Sequence, residues 1–137
     1  MITSIGHSAY NVKDMDKSLK YYCDGLGFTH AFSLKREGKP WIEYLHIAGM
    51  QFIELFYADE IAAPEGISYA HLCLNVDDAE KTCKELEARG VEMTSQPKQG
   101  SDGNTQFWSK DPDGNRIEFM QMSPTSDQAK AAAKAGK

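Results

Sequence analysis

The chain has 137 residues, a length that suits one ordinary domain with a single sizeable core. Its net charge is -5 at neutral pH, with 15 lysines and arginines scattered among 20 acidic residues. Nucleic acids and anionic membrane surfaces require clustered basic side chains, so we expect neither as a partner and predict a small-molecule substrate instead.

We expect no secretion signal, because no basic segment near the first residues is followed by an apolar stretch. No apolar run approaches the roughly 18 residues that a membrane span requires. The sequence therefore predicts a cytoplasmic protein. The three cysteines, Cys23, Cys73 and Cys83, form no CxxC pair, and we interpret them as small core residues rather than as disulfide or zinc-knuckle cysteines.

The first half of the chain has the pattern β-α-β-β-β. An apolar stretch from Ile2 to Val12 predicts a strand, and Asp14 then begins a helix whose apolar residues recur at helical spacing until Gly25 and Gly27 stop it. Three strand-like runs separated by turn residues follow, at residues 28–34, 41–47 and 51–57.

The second half repeats that pattern after a Pro/Gly-bearing connection at residues 62–66. A strand is predicted at residues 69–76, and Asp78 begins a helix that ends at Gly90. Further strands are predicted at residues 91–94, 105–109 and 115–122. We therefore predict a single domain over residues 1–122, with module 1 at about 3–58, module 2 at about 67–122, and a flexible tail over 123–137 that is either a frayed helix or disordered.

An offset of 64 residues, the difference between 7 and 71 and between 54 and 118, superimposes the two halves without a gap. It places Val12 on Val76 and Asp14 on Asp78. The same offset pairs His7 with His71, and Ile53, Glu54 and Leu55 with Ile117, Glu118 and Phe119. Each half thus offers one His near the start of its first strand and one Glu inside its last, which indicates a duplicated module.

The chemistry of these four residues suits a divalent metal. Glu54 and Glu118 each stand between apolar neighbours in a predicted strand, where an isolated buried charge is costly. The alternative is that each Glu faces solvent and that His7 and His71 are structural. Two imidazoles and two carboxylates together form a mixed N/O set that accepts Ni, Zn, Co, Mn or Fe and leaves positions for water or substrate oxygens.

Several segments in this order resemble the glyoxalase I branch of the vicinal oxygen chelate family. The segments are HSAYNV from His7, IELFY from Ile53, YAHLCLNV from Tyr69 and DPDGNRIE from Asp111, and the likeness covers about residues 3–122. The resemblance implies an α+β fold of two paired βαβββ modules that form a curled mixed sheet with a metal-binding cleft. It also implies a homodimer.

The resemblance further implies one divalent metal held by His7, Glu54, His71 and Glu118. Family members stabilise an enediolate or another oxyanion, and glyoxalase I-like members move a proton between adjacent carbons of a hemithioacetal. On this analogy Glu118 is the catalytic base and Glu54 its counterpart on the opposite side of the substrate. A proton next to a carbonyl becomes more acidic when the developing oxyanion is stabilised by a cation, so the chemistry agrees with that assignment.

The chain departs from the family pattern where bacterial glyoxalase I members bind glutathione. Those members carry Arg four residues after the first His ligand and Asn four residues after the first Glu ligand, whereas this chain has Asn11 and Ala58. We therefore expect another thiol, or a phosphorylated, sugar-like or 2-oxo substrate. The alternatives are an Fe(II) ring-cleaving dioxygenase and a metal-free, drug-binding resistance protein.

The other residues that could take part in a site are interpreted mainly as structural. His30 and His46 lack a counterpart in the other half and are expected to be structural or at the surface. Cys73 should face the same side as His71, as a thiol that lines the site rather than as a fifth ligand. Core or interface positions are favoured over the substrate cavity for Trp41, Phe107 and Trp108.

Overall fold

The computed structural model describes residues 4–61 and 68–135, and the chain forms two compact units, Met1–Ile67 and Ser68–Lys137. Two sequence predictions lie outside the described residues: the part of the first strand at Ile2 and the connection at 62–66.

The first unit contains one helical segment and a four-stranded sheet. The strands are β1 (His7–Val12), β2 (Thr29–Arg36), β3 (Lys39–Ala48) and β4 (Gln51–Tyr57), and helix α1 (Met15–Leu19) follows β1. The strand order is β1-β4-β3-β2, in which β1 runs parallel to β4 and the other neighbours are antiparallel. A β-α-β-β-β module is therefore formed, as predicted.

The second unit has the same topology. Its elements are β5 (Leu72–Asn75), α2 (Ala79–Ala88), β6 (Met93–Gln99), β7 (Thr105–Lys110) and β8 (Arg116–Gln121). The strand order is β5-β8-β7-β6, with β5 parallel to β8. Two mixed sheets of four strands, each built from one βαβββ module, confirm the predicted α+β fold.

Both modules begin their helix with the same cap. The Asp14 carboxylate accepts a hydrogen bond from the backbone N–H of Lys17 at 3.1 Å, and the Asp78 carboxylate accepts one from Lys81 at 2.9 Å. A cap of this kind satisfies an orphan N–H group and contributes about 1 kcal/mol. The two caps stand 64 residues apart, so the offset seen in the sequence also holds for local structure.

Each module has its own apolar core. Fully buried side chains in the first include Tyr22 and Leu55, while Phe107 and Phe119 stack in the second with ring centroids 4.7 Å apart. Phe107 is thus a core residue, as favoured. The cysteines follow the prediction only in part: Cys83 is buried and Cys23 half-buried, but Cys73 is exposed, because it lies on a sheet face that the module's own core does not fill.

The structure differs from several predicted element bounds; β5, predicted over residues 69–76, begins only at Leu72, so that His71 lies just before the strand. After α1 the chain continues as a π-helix (Lys20–Gly25), in which the Leu26 N–H donates to the carbonyl of Tyr21. Strand β6 extends to Gln99 and tolerates Pro97, because β6 is an edge strand whose register shifts between Ser95 and Lys98.

The tail forms helix α3 (Asp127–Ala135), none of whose residues is buried, so of the two predicted alternatives the structure shows a helix. Among the described residues, no helix is long and apolar enough to cross a membrane.

Candidate metal site

Strand register places the two glutamates at the same position in their sheets. In the first module Glu54 has Ala9 as its partner on one neighbouring strand and Tyr44 on the other. In the second module Glu118 has Cys73 and Trp108 as its partners. Every one of these residues maps onto its counterpart at the offset of 64, so the duplication extends to strand pairing.

Module 1 brings His7 and Glu54 together. The distance from His7 Nε2 to Glu54 Oε1 is 3.4 Å, and Glu54 is only 6% exposed while the His7 side chain is half exposed. The hydroxyl of Tyr44 donates a hydrogen bond to the same carboxylate; that bond, followed by burial, raises the pKa of Tyr44. The Glu54 carboxylate is therefore held from two sides.

Module 2 brings His71 and Glu118 together. The distance from His71 Nε2 to Glu118 Oε2 is 2.9 Å, and Glu118 is 8% exposed. The Cys73 thiol donates to this carboxylate. Burial of the thiol, followed by the neighbouring Glu118 charge, raises the pKa of Cys73 to about 12, although the residue as a whole is exposed. The Trp108 ring lies edge-on to His71, with centroids 4.8 Å apart.

Burial of the two glutamates excludes one interpretation that the sequence left open. Neither Glu54 nor Glu118 faces solvent from a wet strand face, because both are buried. His30 and His46 are structural, as expected: His30 Nε2 lies 2.6 Å from the Glu43 carboxylate, and His46 Nε2 lies 2.9 Å from the carbonyl oxygen of Gly49.

The donor set of each pair fits a divalent cation. A buried carboxylate beside an imidazole offers one oxygen and one nitrogen ligand, and two such pairs would supply two negative charges against a doubly charged ion. Within neither unit, over residues 4–61 or 68–135, do three or more His, Cys, Asp or Glu side chains form a group that could hold a metal. The union of the two pairs into one centre of four ligands stays a prediction.

Tyr44 is a neighbour of the candidate ligands that the sequence prediction did not include. Because Trp108 lies 64 residues further along, the repeat places an aromatic residue at the same spacing as the candidate ligands in both halves. Alignment of the two halves finds the histidines and glutamates because the same residue type recurs in both. Tyr44 aligns with a Trp, so a search for identical residues does not find it.

A polar cluster on the opposite sheet face was also missed. We call His30, Ser33, Glu43 and Tyr57 the Glu43 cluster. Side chains alternate along β3, so Glu43 points away from the face that carries Tyr44 and Glu54. Glu43 is 6% exposed and accepts hydrogen bonds from Ser33, His30 and Tyr57. Burial acts to raise the pKa of Glu43, but these three donors together hold it below its usual value.

A duplicated βαβββ fold, with one buried glutamate beside a histidine in each module, is the arrangement of the vicinal oxygen chelate class. The family model described as the Glyoxalase/Bleomycin resistance protein/Dioxygenase superfamily matches residues 4–119. The chain belongs to this family, and the resemblance seen in the sequence is confirmed.

Relatives and solved structures agree with that membership. A probable lactoylglutathione lyase of Synechocystis sp. is 31% identical, and the match covers 88% of this chain and 97% of that protein. The lactoylglutathione lyase of Haemophilus influenzae is 32% identical over 87% of this chain and 93% of its own. The crystal structure of a glyoxalase family protein from Enterococcus faecalis is similar with a TM-score of 0.74 at 25% identity, covering 86% of this chain and 97% of that one.

Proposed function

We propose that this chain is a metal-dependent lyase or isomerase of the glyoxalase I type, which transfers a proton between carbons next to a carbonyl group. The observation that carries the proposal is the pair of buried carboxylates, Glu54 and Glu118, each beside a histidine at equivalent positions of the repeat. The lactoylglutathione lyases among its relatives support the same reaction class.

The proposed ligands are His7, Glu54, His71 and Glu118, which would hold one divalent ion of Ni, Zn, Co, Mn or Fe. When bound, such an ion polarises the substrate carbonyl and acidifies the neighbouring C–H group. The proposal includes a homodimer in the cytoplasm, as in the sequence-based prediction.

Glu118 is the proposed base. It takes the proton from one carbon and returns it to the adjacent carbon, and its burial favours this role because it keeps bulk water away from the proton in transit. Glu54 is its counterpart from the other module. Cys73 lies opposite Glu118 in the strand register, and in this proposal its thiol orients that carboxylate rather than binding the metal.

The proposed substrate differs from the glutathione adduct in its thiol part. Asn11 is exposed on β1 and carries no positive charge to pair with a carboxylate of glutathione, and Ala58 has no polar group on its side chain. We therefore propose a hemithioacetal of a smaller or uncharged thiol, or a 2-oxo substrate without a thiol, in preference to the glutathione adduct.

The first test is the metal content of the purified wild type and of His71→Ala, measured by mass spectrometry after supplementation with Ni, Co, Zn or Mn. His46→Ala is the matched control, because it also removes an imidazole, and the His46 ring bonds to a backbone carbonyl of its own hairpin rather than to a glutamate. We expect metal in the wild type and in His46→Ala and its loss in His71→Ala.

The second test is turnover of methylglyoxal with different thiols, measured on the same samples and on Glu118→Gln. Glu43→Gln is the control, since it also replaces a buried carboxylate but on the opposite sheet face. We expect Glu118→Gln to lose activity and Glu43→Gln to retain it. A wild type that takes up none of the metals would refute the metal-dependent reaction and favour a metal-free binding protein.

A further inference from the structure

The two candidate carboxylates have different neighbours, although the repeat makes their positions equivalent. Strand pairing places Tyr44, with its phenolic hydroxyl, directly opposite Glu54, and Cys73, with its thiol, directly opposite Glu118. At the equivalent positions Trp108 stands where Tyr44 stands, and Ala9 where Cys73 stands. The two glutamates are therefore equivalent in position, but the residues beside them on the neighbouring strands differ.

This difference determines how firmly each carboxylate is held when the histidines act as ligands. A nitrogen that binds a metal can no longer donate to a carboxylate, so the contacts of His7 and His71 with their glutamates would no longer restrain them. Among the described residues opposite them on neighbouring strands, Tyr44 then offers Glu54 an O–H donor, and Cys73 offers Glu118 an S–H donor. An O–H group bonds strongly to a carboxylate, whereas a thiol is a weak donor.

Tyr44 is itself held in place. Its ring stacks on Phe32 of the neighbouring strand, with centroids 4.3 Å apart and an interplanar angle of 19°. Strand pairing places Tyr44 directly opposite Glu54, so both backbone and ring fix the direction of its hydroxyl. Trp108, in contrast, lies against His71, and the guanidinium of Arg116 sits 4.4 Å above its ring centre.

We propose that Tyr44 is a positioning residue: its hydroxyl fixes the Glu54 carboxylate in one orientation, so that Glu54 acts as the static ligand and Glu118 as the carboxylate free to turn and carry the proton. This inference rests on the proposed function and deepens it. It assigns a physical cause to the division of labour between two residues that the repeat makes equivalent.

The experiment measures Co²⁺ binding by the metal-free full chain, by titration and by the visible absorption spectrum of the bound ion. Two variants remove the hydroxyl: Tyr44→Phe keeps the ring on Phe32, and Tyr44→Trp installs the residue of the other module. Tyr57→Phe is the matched control, because it removes a tyrosine hydroxyl from a buried glutamate, Glu43, on the opposite face of the same sheet.

We expect both Tyr44 variants to raise the Kd for Co²⁺ about tenfold, the usual effect of losing a residue that orients a ligand, and to alter the Co²⁺ spectrum. Tyr57→Phe should leave both unchanged. A Tyr44→Phe protein with the Kd and spectrum of the wild type would overturn this inference while leaving the proposed function intact. Failure of the wild type to bind Co²⁺ or any other divalent ion would overturn the proposed function, and the inference with it.

Discussion

Replacing Glu43 by Gln tests whether a buried charge stabilises module 1. The glutamine has nearly the same shape, but it loses the negative charge and presents an N–H₂ group to donors that need an acceptor. Three donors are affected, from Ser33, His30 at 2.6 Å and Tyr57 at 2.9 Å. The variant is therefore expected to be less stable than the wild type at neutral pH.

The size of the effect follows from how well water can replace each bond. A hydrogen bond to a charged group contributes about 1.5–3 kcal/mol when it is sheltered. The side chain of His30 is 43% exposed and Tyr57 is 42% exposed, so water can partly replace the hydrogen bonds that these two donors lose. The lower end of that energy range therefore applies to each bond. Because the glutamine oxygen can keep one or two of the bonds, we expect a loss of about 2 kcal/mol in the free energy of unfolding.

The pH dependence gives the sharper test. Hydrogen bonds hold the folded-state pKa of Glu43 below that of the unfolded chain, which is about 4.3. A carboxyl group with a lowered pKa contributes its stability in full above the unfolded value, and that contribution is lost as the pH falls through the folded value. The difference between wild type and Glu43→Gln should therefore be constant from pH 7 to about pH 5 and shrink below about pH 4.

The measurement is urea unfolding of metal-free protein from pH 7 to pH 3, followed by tryptophan fluorescence and extrapolated to zero urea. Glu60→Gln is the control, because Glu60 is exposed and its replacement should change stability by less than about 0.5 kcal/mol. A Glu43→Gln variant as stable as the wild type at pH 7, or a difference that stays the same down to pH 3, would refute the reasoning.

Three further outcomes are expected. Phe107→Ala should cost about 3–5 kcal/mol in urea unfolding, because the ring is fully buried and stacked on Phe119; a loss below about 1 kcal/mol would contradict that packing. Asp78→Ala should cost about 1 kcal/mol by removing the cap of α2, and Asp78→Asn should recover most of it in the same assay. Excess Zn²⁺ at about 100 times its Kd should stabilise the wild type by about 2.7 kcal/mol in thermal unfolding, a gain that EDTA abolishes and His71→Ala lacks; equal stabilisation of that variant would exclude His71 as a ligand.

The fold is predictable from the sequence because its two halves carry the same signals. Asp14 and Asp78 cap helices, and turn residues separate three strand-like runs in each half, so the residue pattern alone locates both modules. The π-helical continuation of α1 was not predictable, since its apolar spacing is also that of an ordinary helix. The extent of β6 was missed because Pro97 is typical of a strand end unless the strand is known to lie at an edge.

The candidate site was predictable only for residues that recur in identical form. His7 and His71, or Glu54 and Glu118, coincide when one half is aligned with the other. The Glu43 cluster does not recur, because the position equivalent to Glu43 holds Phe107, and a lone Glu in a strand has no sequence feature that distinguishes burial from exposure. Its three hydrogen-bond donors come from two other strands, and only strand register brings them together.

The proposed reaction requires two carboxylate ligands, one from each module, but only one proton carrier. In the proposed site each half supplies one metal-binding carboxylate, Glu54 from the first module and Glu118 from the second. A proton carrier is needed only once, and a carboxylate cannot be both firmly fixed and free to turn. Tyr44 and Trp108 occupy the same position, directly opposite the glutamate of their module. The residue at this position influences whether the carboxylate is fixed or free to turn. A duplicated site whose two halves have different roles is expected to differ at such a position.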